Sequence, residues 1–279
     1  MRKINTSVIG QKIYRMALKA GVNLTPACKS ALRSARENES GAAAKFALDT
    51  LIKNSEIAIK ENMPVCQDTG MAVVLLEIGQ DVFLEGEPLQ SAVDSGVKAA
   101  YADGYFRKSV CDPITRKNTG DNTPAILHTE IVEGDKIRIT FMPKGFGSEN
   151  MSKLYMLKPA QGVEGIISAI TQTVKDAGSR PCPPVYVGVG IGGTFDYCAF
   201  LAKKALTRDI GTFNPRGDIA DIEREALKRI NGLNVGCQGF HGDVTALGVA
   251  CEYAPTHIAG LPVAVNIQCH CVRCVKEII

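Results

Sequence analysis

The sequence predicts an α+β protein in which mixed β-sheets are surrounded by helices, with a helical region at the N-terminus. Apolar runs of strand length recur along the chain, as at 71–78 and 185–191. Segments with apolar residues at helical spacing lie between them, as at 89–103 and 163–177. Residues 7–61, by contrast, carry only helical patterns. Together these observations indicate helices packed on sheets rather than an all-helical or all-strand protein.

The N-terminal region contains three predicted helices. Apolar residues recur at helical spacing from Ile9 onward, which predicts the first helix. Thr25 is the predicted N-cap of the second helix, with proline at the next position. The alanine-rich stretch 41–54 predicts the third. We interpret residues 1–60 as a helical region within a single domain that spans 1–279.

The rest of the chain alternates between helices and strands. The predicted helices lie at 89–103, 163–177, 195–206 and 218–233, and the predicted strands at 71–78, 126–131, 136–142, 185–191, 245–253 and 258–267. The strands at 126–131 and 136–142 flank a Glu-Gly-Asp turn, which predicts a β-hairpin. Thr194 is the predicted N-cap of the helix at 195–206.

Composition excludes several classes of protein. The net charge is +3, tryptophan is absent, and no dense basic run occurs, so nucleic-acid binding is not expected. No apolar stretch approaches the roughly 18 residues of a membrane span, and the first residues lack the apolar core of a signal peptide. A cytoplasmic location is therefore expected. In such a protein the ten cysteines point to metal binding, catalysis or burial rather than to disulfides.

Residues 66–69 place a thiol, an amide, a carboxylate and a hydroxyl on four consecutive positions before a buried strand. A loop held by a rigid scaffold is a common location for chemistry, although a capped turn with a buried cysteine explains the pattern equally well. Glycines at 145 and 147 could present backbone N–H groups to an anion. Those at 188–193 suggest close backbone approach, but their spacing does not match a dinucleotide-binding fingerprint.

Two groups of cysteines are candidates for metal binding. Cys269-His270-Cys271-x-x-Cys274 has the spacing of a compact zinc knuckle, although it lacks a second pair of ligands. The alternative uses Cys66, Cys182 and Cys269, each at one end of a predicted strand. Such positions can converge on one rim of a sheet.

Six motifs, in order along residues 60–275, resemble those of one enzyme family. They are VCQDTG at 65–70, NTGDNTPA at 118–125, PKGFGSEN at 143–150, CPP at 182–184, IGGT at 191–194 and QC at 268–269. With them the chain resembles the alpha subunit, or N-terminal half, of the class I iron–sulfur fumarate hydratases and the related L-tartrate dehydratases. Each motif is weak alone, but the set is specific.

This resemblance implies a [4Fe–4S] cluster with one iron free of protein ligands. The implied cluster ligands are Cys66, Cys182 and Cys269. The implied contacts to a small dicarboxylate substrate are Gln67, Asp68, Arg107 and Gly147, and a family histidine falls on His257. Asp68 is the best candidate in this chain to assist the catalytic base, and His257 is a second catalytic candidate near the leaving hydroxyl. Either Cys271 or Cys274 could replace Cys269 as a ligand, and the other cysteines are expected to be buried or incidental.

The resemblance also implies a missing part. Single-chain members of the family carry a second domain that completes the site, so we expect a separate beta subunit and a hetero-oligomer. The expected reaction is the reversible hydration of fumarate to malate. Dehydration of L-tartrate is the alternative within the family. A non-catalytic zinc-binding protein, built on the terminal knuckle, is the alternative outside it.

Overall fold

The computed structural model describes residues 1–279 and confirms the α+β class. The helices are α1 (Thr6–Val22), α2 (Pro26–Asn38), α3 (Ala42–Lys60), α4 (Leu89–Asp103), α5 (Phe146–Glu149), α6 (Gly162–Ala177), α7 (Phe195–Ala205) and α8 (Gly217–Asn231). The strands are β1 (Arg2–Asn5), β2 (Met71–Gly79), β3 (Val82–Glu85), β4 (Ile126–Val132), β5 (Ile137–Lys144), β6 (Lys153–Leu157), β7 (Val185–Gly192), β8 (Ala246–Ala254), β9 (Leu261–Gln268) and β10 (Val275–Ile278).

Two compact units make up the chain. The first unit contains Met1–Leu24, Asn54–Phe146 and Arg273–Ile279, and the second contains Thr25–Lys53 and Gly147–Val272. The N-terminal 60 residues form one short strand and three helices, but they are divided between the units. The extent of the hydro-lyase domain stays a prediction.

In the first unit a four-stranded mixed sheet has the order β10-β5-β2-β4. β2 is parallel to β4 and antiparallel to β5. Helices α1 and α4 contribute Ile9, Ile13 and Val97 to a core that includes Val74 and Phe141 of the sheet. These helices are amphipathic, so their apolar faces are buried while their polar faces meet water.

The predicted hairpin at 126–142 is wrong. β4 and β5 are separated by β2, which pairs with both of them. The alternating pattern and the Glu-Gly-Asp turn are also compatible with two antiparallel strands that are not paired with each other. A third strand can lie between them and pair with both. β2 is almost continuously apolar and largely buried, as expected of a central strand.

In the second unit another four-stranded mixed sheet has the order β6-β9-β7-β8. β7 is parallel to β8 and antiparallel to β9. One face packs on α6 and α8 through residues such as Ile170 and Ile230. The other face receives α7, whose Cys198 and Ala202 pack with Ala264 of β9.

The glycines of β7 serve helix packing. A Cβ built on Gly190 would lie 2.0 Å from the carbonyl oxygen of Cys198, and one on Gly188 would lie 2.3 Å from that of Ala202. Both clashes are with backbone atoms of α7, and these atoms cannot move by a rotamer change as a side chain can. The close approach that the glycines suggested is therefore an approach to a helix.

Two predicted N-caps have different outcomes. The Thr25 side chain accepts a hydrogen bond from the Cys28 N–H, 3.1 Å away, so it caps α2 as predicted. Thr194 occupies the N-cap position of α7, but its hydroxyl donates to Asp196 instead.

None of the helices combines the length and apolar character needed to cross a membrane.

We predict that Gly190→Ala lowers the free energy of unfolding by about 1–3 kcal/mol, because α7 must shift away from β7. Gly217→Ala is the matched control: Gly217 lies in α8 with no atom within 4 Å of a built Cβ, so its stability should change by less than about 0.5 kcal/mol. Urea unfolding of the full chain measures both. Equal midpoints for wild type and Gly190→Ala would contradict the close β7–α7 contact.

Candidate functional site

The loop that carries the first predicted thiol precedes β2 in the first unit. Cys66 and Asp68 are half-buried and Gln67 is exposed, whereas Thr69 and Gly70 are buried. Gly70 has φ +80°, and a Cβ there would lie 2.8 Å from the backbone nitrogen of Lys144. Only glycine meets both conditions without strain, which makes the turn into β2 sharp.

Buried side chains hold the backbone of this loop. The Tyr101 hydroxyl lies 2.9 Å from the carbonyl oxygens of both Thr69 and Gly70. The Asn122 side-chain amide donates to the Gly70 carbonyl at 3.2 Å, and the Arg273 guanidinium donates to the Asp68 carbonyl at 3.0 Å. Because buried carbonyls need partners, these contacts determine where the loop can lie.

The Asp68 carboxylate binds backbone N–H groups. Oδ1 accepts a hydrogen bond from the Gly70 N–H at 3.0 Å, and Oδ2 accepts one from the Phe146 N–H at 2.9 Å. A Cβ on Gly145 would lie 3.0 Å from Oδ2, so a side chain at this position would crowd the carboxylate and glycine does not. Asp68 therefore joins its own loop to the start of α5.

Arg107 lies beside the same loop. The Thr69 hydroxyl donates to the Arg107 carbonyl at 2.8 Å, and the Arg107 side chain is exposed. The structure thus brings three predicted substrate contacts, Gln67, Asp68 and Arg107, to one part of the first unit.

In the second unit Cys182 and Cys269 lie at the same end of the sheet. Cys182 precedes β7 and Cys269 follows β9, and the antiparallel register pairs Tyr186 with Gln268. Cys182 is exposed and Cys269 is half-buried. The Cys182 carbonyl also lies 3.0 Å from Nδ1 of His270.

The expectation that three thiols share one sheet rim is wrong. Cys66 precedes β2, which belongs to the sheet of the first unit, whereas Cys182 and Cys269 flank strands of the other sheet. A strand pattern predicts that a residue stands at a strand end, but not to which sheet that strand belongs.

Gly147 occupies the short helix α5 and is exposed. Its built Cβ would meet only the Arg180 carbonyl oxygen, 3.9 Å away, and its φ lies outside the left-handed region. Neither packing nor backbone conformation requires glycine here, so the position leaves open space beside the α5 backbone.

His257 lies away from the cysteines of the second unit. It is exposed in the turn before β9, whereas Cys269 follows the last residue of that strand. The eight residues of β9 span about 24 Å. The structure therefore does not bring His257 together with Cys182 and Cys269 within this unit, and His270 is the histidine that it places there.

Most other cysteines are buried. Burial raises the pKa of Cys28 and Cys237 to about 12 and that of Cys198 to about 11, and it also raises the pKa of Cys251. Cys271 is buried too, whereas Cys111 and Cys274 are half-buried. A thiol must lose its proton to bind a metal, so the four with raised pKa are poor ligands.

The terminal knuckle and the set Cys66, Cys182 and Cys269 share one feature. In neither are three or more His, Cys, Asp or Glu side chains grouped closely enough to hold a metal ion. Within the knuckle, Cys271 is 1% exposed and Nδ1 of His270 contacts the Cys182 carbonyl.

Sequence reasoning missed the residues that hold the loops. Tyr101, Asn122 and Arg273 support the loop before β2, and His270 contacts the loop before β7. Two of the four could have been found, since Asn122 lies in the motif at 118–125 and His270 follows Cys269. Tyr101 sits on a helix face and carries no local signal.

We predict that Cys182 is the cysteine most rapidly alkylated in the folded, iron-free chain. Cys28 and Cys237 should react at least about 100-fold more slowly at pH 8, because burial limits access and their raised pKa leaves little thiolate. Timed iodoacetamide labelling with peptide mass mapping measures the rates, and labelling in urea is the control. Equal rates for Cys28 and Cys182 in the folded chain would contradict this assignment.

Comparison with known proteins agrees with these features. The family model described as fumarate hydratase (Fumerase) matches residues 10–277. The putative L(+)-tartrate dehydratase subunit alpha of Methanocaldococcus jannaschii is 42% identical over 268 residues, covering 94% of each chain. The L(+)-tartrate dehydratase subunit alpha of Escherichia coli K12 is 31% identical over 242 residues, covering 85% of this chain and 80% of the relative. The chain therefore belongs to the fumarate hydratase family of hydro-lyases.

Proposed function

We propose that this chain is the alpha subunit of a [4Fe–4S] hydro-lyase that catalyses the reversible hydration of fumarate to malate, with a separate beta subunit completing the site. The observation that carries the proposal is the grouping of Gln67, Asp68 and Arg107 around one loop, in a chain whose family match is nearly complete. The relatives are named as alpha subunits, which supports the separate partner. The cytoplasmic location stays a prediction.

The cysteines proposed as cluster ligands have the chemistry that a cluster needs. Cys66, Cys182 and Cys269 are exposed or half-buried, whereas five of the other seven cysteines are buried. Accessible thiols lose protons and receive metal more readily than buried ones. When bound, a cluster with one iron free of protein ligands would supply Lewis acidity toward the hydroxyl that leaves as water.

The remaining side chains are suited to bind a dicarboxylate. The exposed guanidinium of Arg107 can donate two parallel hydrogen bonds to one carboxylate. The exposed amide of Gln67 can donate to an oxygen of the same molecule. Gly147, which packing does not require, allows a carboxylate to approach the α5 backbone N–H groups.

Asp68 is proposed to orient the group that removes the proton next to the leaving hydroxyl. Each of its carboxylate oxygens accepts one backbone hydrogen bond, and a carboxylate has about four accepting positions. The unused positions can accept a proton or a hydroxyl donor, while the two bonds hold the orientation. The proposed catalytic role of His257 has no comparable support, because it lies at the far end of β9.

L-Tartrate is the second candidate substrate. The observation that favours it is that the relatives named above are L(+)-tartrate dehydratase subunits. Tartrate differs from malate by a second hydroxyl, and loss of water from it requires the same acid and base positions. The two reactions therefore share the residues above and differ in what contacts the second hydroxyl.

We predict that anaerobic co-purification with any small subunit encoded beside this chain yields about four irons and four sulfides per alpha chain. The complex should form fumarate from malate, whereas the alpha chain alone should hold iron without turnover. Absorbance assays with malate and with L-tartrate measure the two reactions in parallel. Oxaloacetate formed only from tartrate would replace the fumarate assignment, and one zinc without sulfide would overturn both.

Asp68→Asn should lower turnover of the complex at least about tenfold with unchanged iron content, because a neutral amide cannot serve the base. The matched control is Asp112→Asn: the Asp112 carboxylate likewise accepts backbone hydrogen bonds, from Ile114 and Thr115, but lies in a different loop. Both variants should lose about 1 kcal/mol of stability from weakened hydrogen bonds. Equal turnover in the two variants would remove Asp68 from the mechanism.

A further inference from the structure

Two consecutive carbonyls beside Cys182 each accept two hydrogen bonds from one residue. The Cys182 carbonyl receives the backbone N–H of His270 at 3.3 Å and lies 3.0 Å from its Nδ1. The Pro183 carbonyl receives the backbone N–H of Gln238 at 2.8 Å and its side-chain amide at 2.7 Å. Two residues that are distant in sequence thus bind the carbonyls of two consecutive peptide groups.

One residue that accepts these hydrogen bonds and one that donates them have a backbone conformation that residues other than glycine rarely adopt. Cys182 has φ +54° and Gln238 has φ +53°, and neither is glycine. Such conformations are strained for residues with a side chain and persist only where the surroundings hold them. The hydrogen bonds to the two carbonyls are among the contacts that do so, together with the one that the Cys182 N–H donates to the Ser179 carbonyl at 3.1 Å.

We propose that His270 and Gln238 are positioning residues, which hold the Cys182 loop so that its thiol stays beside that of Cys269. His270 directly follows Cys269, so its bonds to the Cys182 carbonyl join the two thiol-bearing segments to each other. The consequence for a cluster rests on the proposed function. The positioning itself does not, because the contacts exist in the chain alone.

Nδ1 of His270 lies between the two contacts. It is 3.0 Å from the Cys182 carbonyl oxygen, which accepts a hydrogen bond when Nδ1 carries a hydrogen. The Gln238 amide nitrogen donates to the Pro183 carbonyl at 2.7 Å and also lies 3.3 Å from the same Nδ1. The two side chains therefore contact each other, and each also contacts a different carbonyl.

Helix α2 anchors the other side of His270. The Cys28 thiol donates to the His270 carbonyl at 3.2 Å, and the Thr25 N–H donates to the Val272 carbonyl at 3.0 Å. Cys28 is fully buried. The N-terminal end of α2 therefore holds the backbone of the segment after Cys269. This fixes the position of His270, which in turn contacts the Cys182 carbonyl.

Three variants of the full alpha chain test the proposal. His270→Leu keeps the bulk but removes the side-chain donor, whereas His270→Asn keeps an N–H near the position of Nδ1. His241→Leu is the matched control, since Nδ1 of His241 also lies 3.0 Å from a backbone carbonyl, that of Asn234. Thermal unfolding of all three verifies that they fold.

The first readout needs no cluster. In the iron-free chain, cross-linking of Cys182 to Cys269 with dibromobimane, mapped by mass spectrometry, reports whether the thiols are held side by side. Wild type, His270→Asn and His241→Leu should cross-link alike, and His270→Leu severalfold more slowly. Equal rates in wild type and His270→Leu, or no cross-link in wild type, would overturn the proposal.

The second readout separates this proposal from the proposed function. After anaerobic reconstitution, His270→Leu should release iron to a chelator about tenfold faster than wild type, with rescue by His270→Asn. If wild type takes up no iron and sulfide while its cross-linking still depends on His270, the cluster assignment fails and the positioning role stands. If wild type holds a cluster that His270→Leu retains equally well, the positioning role fails alone.

Discussion

Two central strands determine where the chemistry of this chain can lie. β2 and β7 are paired on both sides and are largely or wholly buried, so neither can slide without exposing its apolar residues. The loop of Cys66 enters β2 and that of Cys182 enters β7. A strand that is hydrogen-bonded along both edges has a single register. The residue at which the preceding loop meets the strand is therefore fixed in position.

From those points, polar side chains bound to backbone atoms shape the loops. Tyr101 and Asn122 bind carbonyls of the first loop, and the Asp68 carboxylate binds N–H groups there. In the second unit, His270 and Gln238 do the same for the loop of Cys182. Buried polar groups must be paired, so each bond selects one backbone path among those that the turn residues allow. The site is thus prepared by groups that need not touch a substrate.

This organisation suits the proposed reaction, in which a bound cluster would supply the Lewis acid. The protein then has to present thiols, bind two carboxylates and place one proton acceptor. In the first unit Asp68 lies on the loop before β2 and Arg107 on the loop after α4. In the second unit Cys182 and Cys269 lie at one end of the sheet. Glycine at position 70 makes the necessary turn possible, whereas glycine at position 190 serves packing of α7.

The sequence by itself determined the class of fold, the position of nearly every long element and the family, because periodicity and motif residues are local properties of the chain. It also placed the candidate thiols at strand ends. Only the tertiary structure decided which strands pair: β2 lies between the two strands of the predicted hairpin, and Cys66 belongs to a different sheet from Cys182. It likewise decided that His270, rather than His257, accompanies the cysteines of the second unit. Strand partners and sheet ends depend on contacts between residues far apart in sequence, and spacing along the chain carries no information about them.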